Sequence, residues 1–229
     1  MKIRICTPIT AKKTSEIPTL IKRAEQMGAD LAEIRMDYLE SFDGIEKAVE
    51  NTKIPLIATN RQYEQGGKRR QNENERVKML LEAADMGFSL VDIEITTPNI
   101  EAIMKNLKKT NAKTILSFHN FSETPSLEEL RKIVASQIGM GAGICKLVTM
   151  AKSLNDNLTF LSLAAETSRK KPIICFAMGK LGILSRIFSP MFGGYLTYAS
   201  LESGMETAPG QISIERLKEI YRLLGVENL

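Results

Sequence analysis

The chain has 229 residues, of which 43% are hydrophobic and 25% charged, with a formal net charge of +4. That composition is ordinary for a globular protein, and the length allows one large domain or two small ones with a sizeable core. The mildly basic balance suits an anionic small molecule rather than nucleic acid: few aromatics interleave with the scattered bases, and the densest run, "GGKRRQ" at 66–71, reads as a solvated loop.

In chain order, short β-rich runs alternate with helical patterns. A strand at 3–9 precedes a helix at 14–27, and a strand at 31–36 precedes a helix at 43–51. The same unit recurs as 54–59 with 72–87, 90–95 with 99–109, 114–118 with 126–139, and 143–149 with 155–169. It closes with 172–177 before a short, weak helix at 181–188, and 194–199 before 212–225. Several strand runs are apolar on both faces, as strands covered by helices are. The helix at 126–139 opens with Ser126 three residues before Glu129, a capping box, and ends at Gly139. Its Leu127, Leu130, Ile133, Val134 and Ile138 form one apolar face.

Eight such units predict a single (β/α)8 TIM barrel over residues 1–229, with no linker to mark a second domain. A doubly wound open sheet is the alternative, but eight regular units favour closure and no phosphate-binding glycine fingerprint follows the first strand. Cys6, Cys145 and Cys175 each sit in an apolar run without zinc or CxxC spacing, and read as reduced core residues of a cytoplasmic protein. The N-terminus has no signal-peptide pattern, and no apolar run is long enough to cross a bilayer.

A barrel places its chemistry at the C-terminal ends of the strands and in the loops that follow. Lys146 lies in "ICKLV", sharing one face of the sixth strand with Ile144 and Val148. Desolvation favours the neutral amine, a nucleophile able to form a Schiff base with a ketone. The alternative is a lysine whose stem packs while its head escapes to solvent. His119, the only histidine, ends the fifth strand next door, where it can move protons near neutral pH. No second histidine and no carboxylate cluster accompany it, so a metal site is not expected. In "EIRMD", Glu33, Arg35 and Asp37 alternate with Ile34 and Met36, which puts three charges on one face; an ion-pair network is the plain reading and a ligand site the functional one. Arg61 follows the third strand, Met178 ends the seventh, and Arg186 lies beyond it. The last loop carries Thr207 and Gln211 around a Pro-Gly pair suited to a lid. Several rim arginines point to an anionic, hydroxyl-rich substrate. Together these residue types describe Schiff-base lyase chemistry, with a sugar-phosphate aldolase as the competing enzyme and a non-catalytic barrel as the third reading.

"EIRMD", "SFHNF", "ICKLV" and "APGQI", in this order, resemble the type I 3-dehydroquinate dehydratases over essentially the whole chain. The resemblance implies a (β/α)8 barrel, usually a homodimer, that removes water from 3-dehydroquinate in the shikimate pathway with no metal or organic cofactor and no nucleic-acid or membrane partner. It implies that Lys146 is the Schiff-base lysine, His119 the general acid/base, and Arg186 the partner of the substrate carboxylate. It further implies substrate contacts for Glu33, Arg35, Arg61 and Gln211, and a hydroxyl at Thr7 at the end of the first strand; Met178 joins the substrate-binding candidates by its place at the end of the seventh strand. Two positions depart from the family pattern. Thr207 stands where bacterial members carry serine, and Gln65 where many carry a glutamate before paired glycines. If that glutamate tunes the histidine, either Gln65 does so differently or Glu64 takes its place.

Overall fold

The computed structural model describes residues 3–50 and 52–226. Strands and helices alternate as β1 (Ile5–Ile9), α1 (Ile17–Met27), β2 (Leu31–Arg35), α2 (Glu46–Glu50), β3 (Leu56–Thr59), α3 (Glu73–Asp85), β4 (Leu90–Glu94) and α4 (Ile100–Leu107). The second half continues with β5 (Lys113–Asn120), α5 (Leu127–Gly139), β6 (Ile144–Met150), α6 (Asn155–Thr167), β7 (Ile173–Met178), α7 (Ile183–Phe188), β8 (Thr197–Tyr198) and α8 (Ile214–Leu223). The strands form one parallel sheet in the order β7-β6-β5-β4-β3-β2-β1-β8. Across the remaining seam Tyr195 N–H donates to the Ile173 carbonyl at 2.7 Å, so the sheet is a nearly closed TIM barrel. The eighth strand is far shorter than the expected 194–199: the chain turns at Gly193 and Gly194, where the Gly194 N–H bonds to Ser189, and only Thr197 and Tyr198 ladder with β1. Residue 51, the end of the expected second helix, lies outside the described residues.

The helix ends follow from local chemistry. Ser126 accepts from the Glu129 N–H and the Glu129 carboxylate accepts from the Ser126 N–H, which is the predicted capping box. The helix ends at Gly139, as expected, and the closing left-handed residue follows two positions later. Gly141 takes φ +85°, and the N–H groups of Gly141 and Ala142 close onto Ile138 and Gln137. The buried face of α5 is Leu130, Val134 and Gln137, while Ile138 is exposed. Gln137 is drawn inward because its amide donates to the Lys146 carbonyl at 3.1 Å.

Two apolar layers result from the two-residue alternation of the strands. Ile34, Val91, Leu116, Cys145, Leu147 and Cys175 face the helices. Cys6, Leu31, Ile57, Leu90, Ile115, Ile144 and Ile174 fill the barrel interior. All three cysteines are free and buried. The inward row of each strand begins aliphatic and turns polar towards its C-terminal end: Leu31 leads to Glu33 and Arg35, Leu90 to Asp92 and Glu94, Ile115 to Ser117 and His119, and Ile144 to Lys146. The fold therefore concentrates charge on top of an apolar plug, where the barrel opens.

Candidate active site

A cavity at the C-terminal end of the barrel is lined by Glu33, Arg35, Arg61, Gln65, His119, Phe121, Lys146, Met178, Arg186, Tyr198, Thr207 and Gln211, among others. Lys146 is 4% exposed, so its head does not escape to solvent. Its ammonium donates to Asp92 Oδ2 at 2.7 Å and to the Tyr198 hydroxyl at 3.1 Å, with Glu33 Oε1 at 3.6 Å. Tyr198 donates in turn to Glu33 Oε1 at 3.3 Å, and Thr59 bonds the same oxygen at 2.9 Å. The buried charge is thus compensated by carboxylates, which the sequence reading had not placed there.

Asp92 also receives Arg61 Nη2 at 2.8 Å and the Ser117 hydroxyl at 2.7 Å. Burial alone raises a carboxyl pKa, but here Arg61 and Lys146 outweigh it and hold Asp92 well below the usual carboxylate range. Arg61 is spanned by Asp92 and Glu94, whose Oε1 lies 2.7 Å from Nη1, and those charges overcome burial and raise its pKa. Although Arg61 reaches the cavity wall, its donors are engaged by protein oxygens. Arg35 behaves similarly. β2 ends at Arg35, and Asp37 lies in the following 3-10 turn Met36–Tyr38 rather than on the strand face. From there it grips the Arg35 guanidinium with two hydrogen bonds of 2.9 and 2.7 Å.

His119 lies within β5, directly beside Val148, while Ser117 sits beside Lys146, so the imidazole projects one inward row above the amine on the neighbouring strand. Its backbone N–H donates to Gln65 Oε1 at 3.2 Å, and its Nδ1 lies 3.1 Å from the same oxygen. Burial first, then Arg61 and Lys146, push the imidazole well below its ordinary pKa of 6.5, with Asp92 acting the other way. The ring is therefore neutral at pH 7, the state required of a base. Glu64 does not take the place of Gln65, since it is exposed and pairs with Arg70 at 3.5 Å.

Arg186 is 1% exposed and has no carboxylate partner among the described residues. Its guanidinium lies 4.4 Å from the Phe176 ring centroid, reaches Pro209 O at 3.4 Å, and leaves Nε without a hydrogen bond. Burial pushes its pKa down to about 10. The last loop covers this side: Thr207 N–H and its hydroxyl bond Gln211 Oε1 at 2.7 and 3.2 Å, and Gly179 N–H donates to Pro209 O at 3.0 Å.

The sequence profile of the type I 3-dehydroquinases matches residues 5–228. The chain belongs to the type I 3-dehydroquinase family. It is 41% identical over 224 residues to a 3-dehydroquinate dehydratase of Dehalococcoides mccartyi, covering 98% of this chain and 97% of that one. The solved 3-dehydroquinate dehydratase of Geobacillus kaustophilus is similar with a TM-score of 0.89 at 25% identity, covering 100% of this chain and 93% of the other. A type I enzyme from Clostridium difficile, solved with covalently modified comenic acid, gives 0.85 at 27% identity, covering 100% and 94%. As a type I 3-dehydroquinase, this chain is a hydro-lyase of the shikimate pathway.

Two corrections concern this type I barrel's site. Thr7 is fully buried in β1 but is not among the residues lining the cavity, and its hydroxyl has no hydrogen-bond partner among the described residues. The pleat turns Cys6 into the barrel and leaves Thr7 on the helix-facing side with Ile5 and Ile9. Conversely, carboxylates do meet at the lysine, as ion-pair partners rather than as a metal-holding group, none of which is found among the described residues. Asp92 and Glu94 alternate with Val91 and Ile93 in "LVDIE", the same pattern that drew attention to "EIRMD". Arg76, buried on α3, pairs with Glu94 of β4 at 2.9 Å and with the half-buried Glu73 of its own helix at 2.8 Å; nothing local in the sequence signals the first of these, because Glu94 lies on another element. Among the described residues no helix is long and apolar enough to cross a membrane.

Proposed function

We propose that this chain converts 3-dehydroquinate to 3-dehydroshikimate through a Schiff base on Lys146, with His119 as the general acid/base. The observation that carries the reading is one cavity lined by a buried, ion-paired lysine, a half-buried histidine and a buried arginine lacking an acidic partner. Once Lys146 has given up a proton, its amine attacks the substrate ketone and water leaves, forming an iminium. The iminium carries the same positive charge as the ammonium, so Asp92 at 2.7 Å and Glu33 at 3.6 Å neutralise both states without rearranging. The iminium draws electrons from the adjacent carbon, and neutral His119 removes its C2 proton. The imidazolium then returns that proton to the C1 hydroxyl, which departs as water while the electron pair of the enamine forms the new double bond. Hydrolysis of the imine frees product and Lys146.

Arg186 supplies the cationic site for the substrate carboxylate, and Gln211 and Thr207 close over it. Glu33, Arg35 and Met178 complete the substrate-facing wall, whereas Arg61 chiefly fixes Asp92 and Glu94. The covalently modified ligand in the Clostridium difficile enzyme supports covalent chemistry in this family. This reading takes the chain as a single catalytic barrel domain working in the cytoplasm as a homodimer, a state that sedimentation tests. Replacing His119 with alanine removes the proton carrier but not the amine. Turnover should drop by about 10²–10⁴, while imine formation persists; near-normal turnover would remove His119 from its role.

A further inference from the structure

Gln65 offers one oxygen to both the backbone and the ring of His119. An amide can be turned end for end, so its orientation has to come from its neighbours. Here it does. The backbone N–H of His119 can only donate, so the Gln65 atom facing it is the oxygen. The Gln65 amino group points the other way, to Thr96 Oγ1 at 2.6 Å and Gln62 Oε1 at 3.3 Å. Gln62 is oriented as well, because its own amino group donates to Glu73 Oε1 at 3.0 Å, and a carboxylate only accepts. Glu73 is held ionised by its hydrogen bonds to Arg76, of 2.9 and 2.8 Å. Donation therefore runs one way from the imidazole through Gln65 and Gln62 to the Glu73 carboxylate, which Arg76 anchors by donating from the far side.

We propose that Gln65 is a positioning residue that, oriented through Gln62 and Glu73, fixes His119 as the Nδ1–H tautomer and leaves Nε2 as its basic nitrogen. The inference rests on His119 being the general base. It deepens that role by naming which nitrogen takes the proton and what decides it. An amide fixes the tautomer as a carboxylate does, but brings no charge. The charged groups acting on the ring are Arg61, Lys146 and Arg35, which oppose its protonation, and Asp92, which favours it. With a neutral partner at Nδ1, the imidazole stays unprotonated, and thus competent as a base, well into the acid range.

The chain contains one histidine, so histidine-selective 15N labelling yields a single imidazole spectrum. In the free wild-type enzyme at neutral pH, Nδ1 should carry the proton and Nε2 should not; the opposite tautomer, or an even mixture, overturns the proposal. Gln65→Leu should lose the tautomer preference and lower kcat by about tenfold or more, short of the loss on removing the base, with KM little changed. An unaltered tautomer in that variant would also overturn it. Gln65→Glu restores the acceptor, with Thr96 able to donate to its second oxygen. It should keep Nδ1–H and shift the acidic limb of kcat/KM upward by about one pH unit or more; an unmoved limb refutes the part assigned to the neutral amide. If the tautomer is as predicted but His119→Ala retains turnover, the general-base reading fails and the tautomer assignment stands.

Discussion

Replacing Arg186 with methionine separates stability from function. The guanidinium is 1% exposed and no carboxylate faces it among the described residues. Burial lowers its pKa from the ordinary arginine value to about 10, which corresponds to roughly 3 kcal/mol against the charged form. A basic group depressed in the folded state destabilises the fold below its folded pKa, and the penalty fades as pH rises from about 10 towards the ordinary arginine value. At neutral pH the full penalty applies. Stacking on Phe176 offsets about 1–2 kcal/mol of it, so the methionine variant should be more stable by about 1–2 kcal/mol. For a chain of this size that is a melting-temperature rise of a few degrees. Binding should move the other way. A desolvated ion pair with the substrate carboxylate contributes about 2–5 kcal/mol, so kcat/KM should fall roughly thirtyfold to several thousandfold. Denaturant or thermal unfolding and steady-state dehydration kinetics on the same preparations read both effects. A variant that melts lower and keeps its KM would refute the reasoning, because Arg186 would then be an ordinary structural side chain.

Two more predictions follow from neighbouring contacts. Asp92→Asn keeps the shape but strips the charge from between Lys146 and Arg61, and should cost about 3–5 kcal/mol in denaturant unfolding. Because the Asp92 pKa is depressed in the folded state, its contribution is fully present above its ordinary value of 3.8 and is lost as pH falls through its folded value; the difference between variant and wild type should therefore shrink in strong acid. Gly210→Ala places a Cβ 2.4 Å from the Gly179 carbonyl oxygen at φ +76°, so the last loop must lift. KM should rise severalfold while the barrel's unfolding changes by about 1–3 kcal/mol, and an unchanged KM would detach this loop from binding.

The barrel was legible in the sequence because every β-rich run is short, apolar and followed by a helical period. Lys146 was legible for a related reason, since a charge in a two-faced apolar run has to be answered by something. Facing was harder to read. A period of two separates Cys6 from Thr7 but does not say which of them points inward; the parallel register with Leu31 and Ala32 decides it. Partnership was harder again. Arg61 and Glu94 are 33 residues apart, and only the adjacency of β3 and β4 joins them. Asp92 shows the same gap, since its alternating pattern in "LVDIE" was visible while its role depends on Lys146 two strands away. The eighth strand misled because "GYLTYA" is β-rich throughout, yet its first residues are committed to the turn from Ser189 and to the seam with Ile173.

The central claim is that the substrate becomes an imine on Lys146. Borohydride reduction of the purified protein in the presence of 3-dehydroquinate, followed by peptide mass spectrometry, tests it directly. A reduced ligand adduct on the peptide containing Lys146, absent without substrate, is the predicted result. Dehydration activity with no adduct on that lysine would contradict the account.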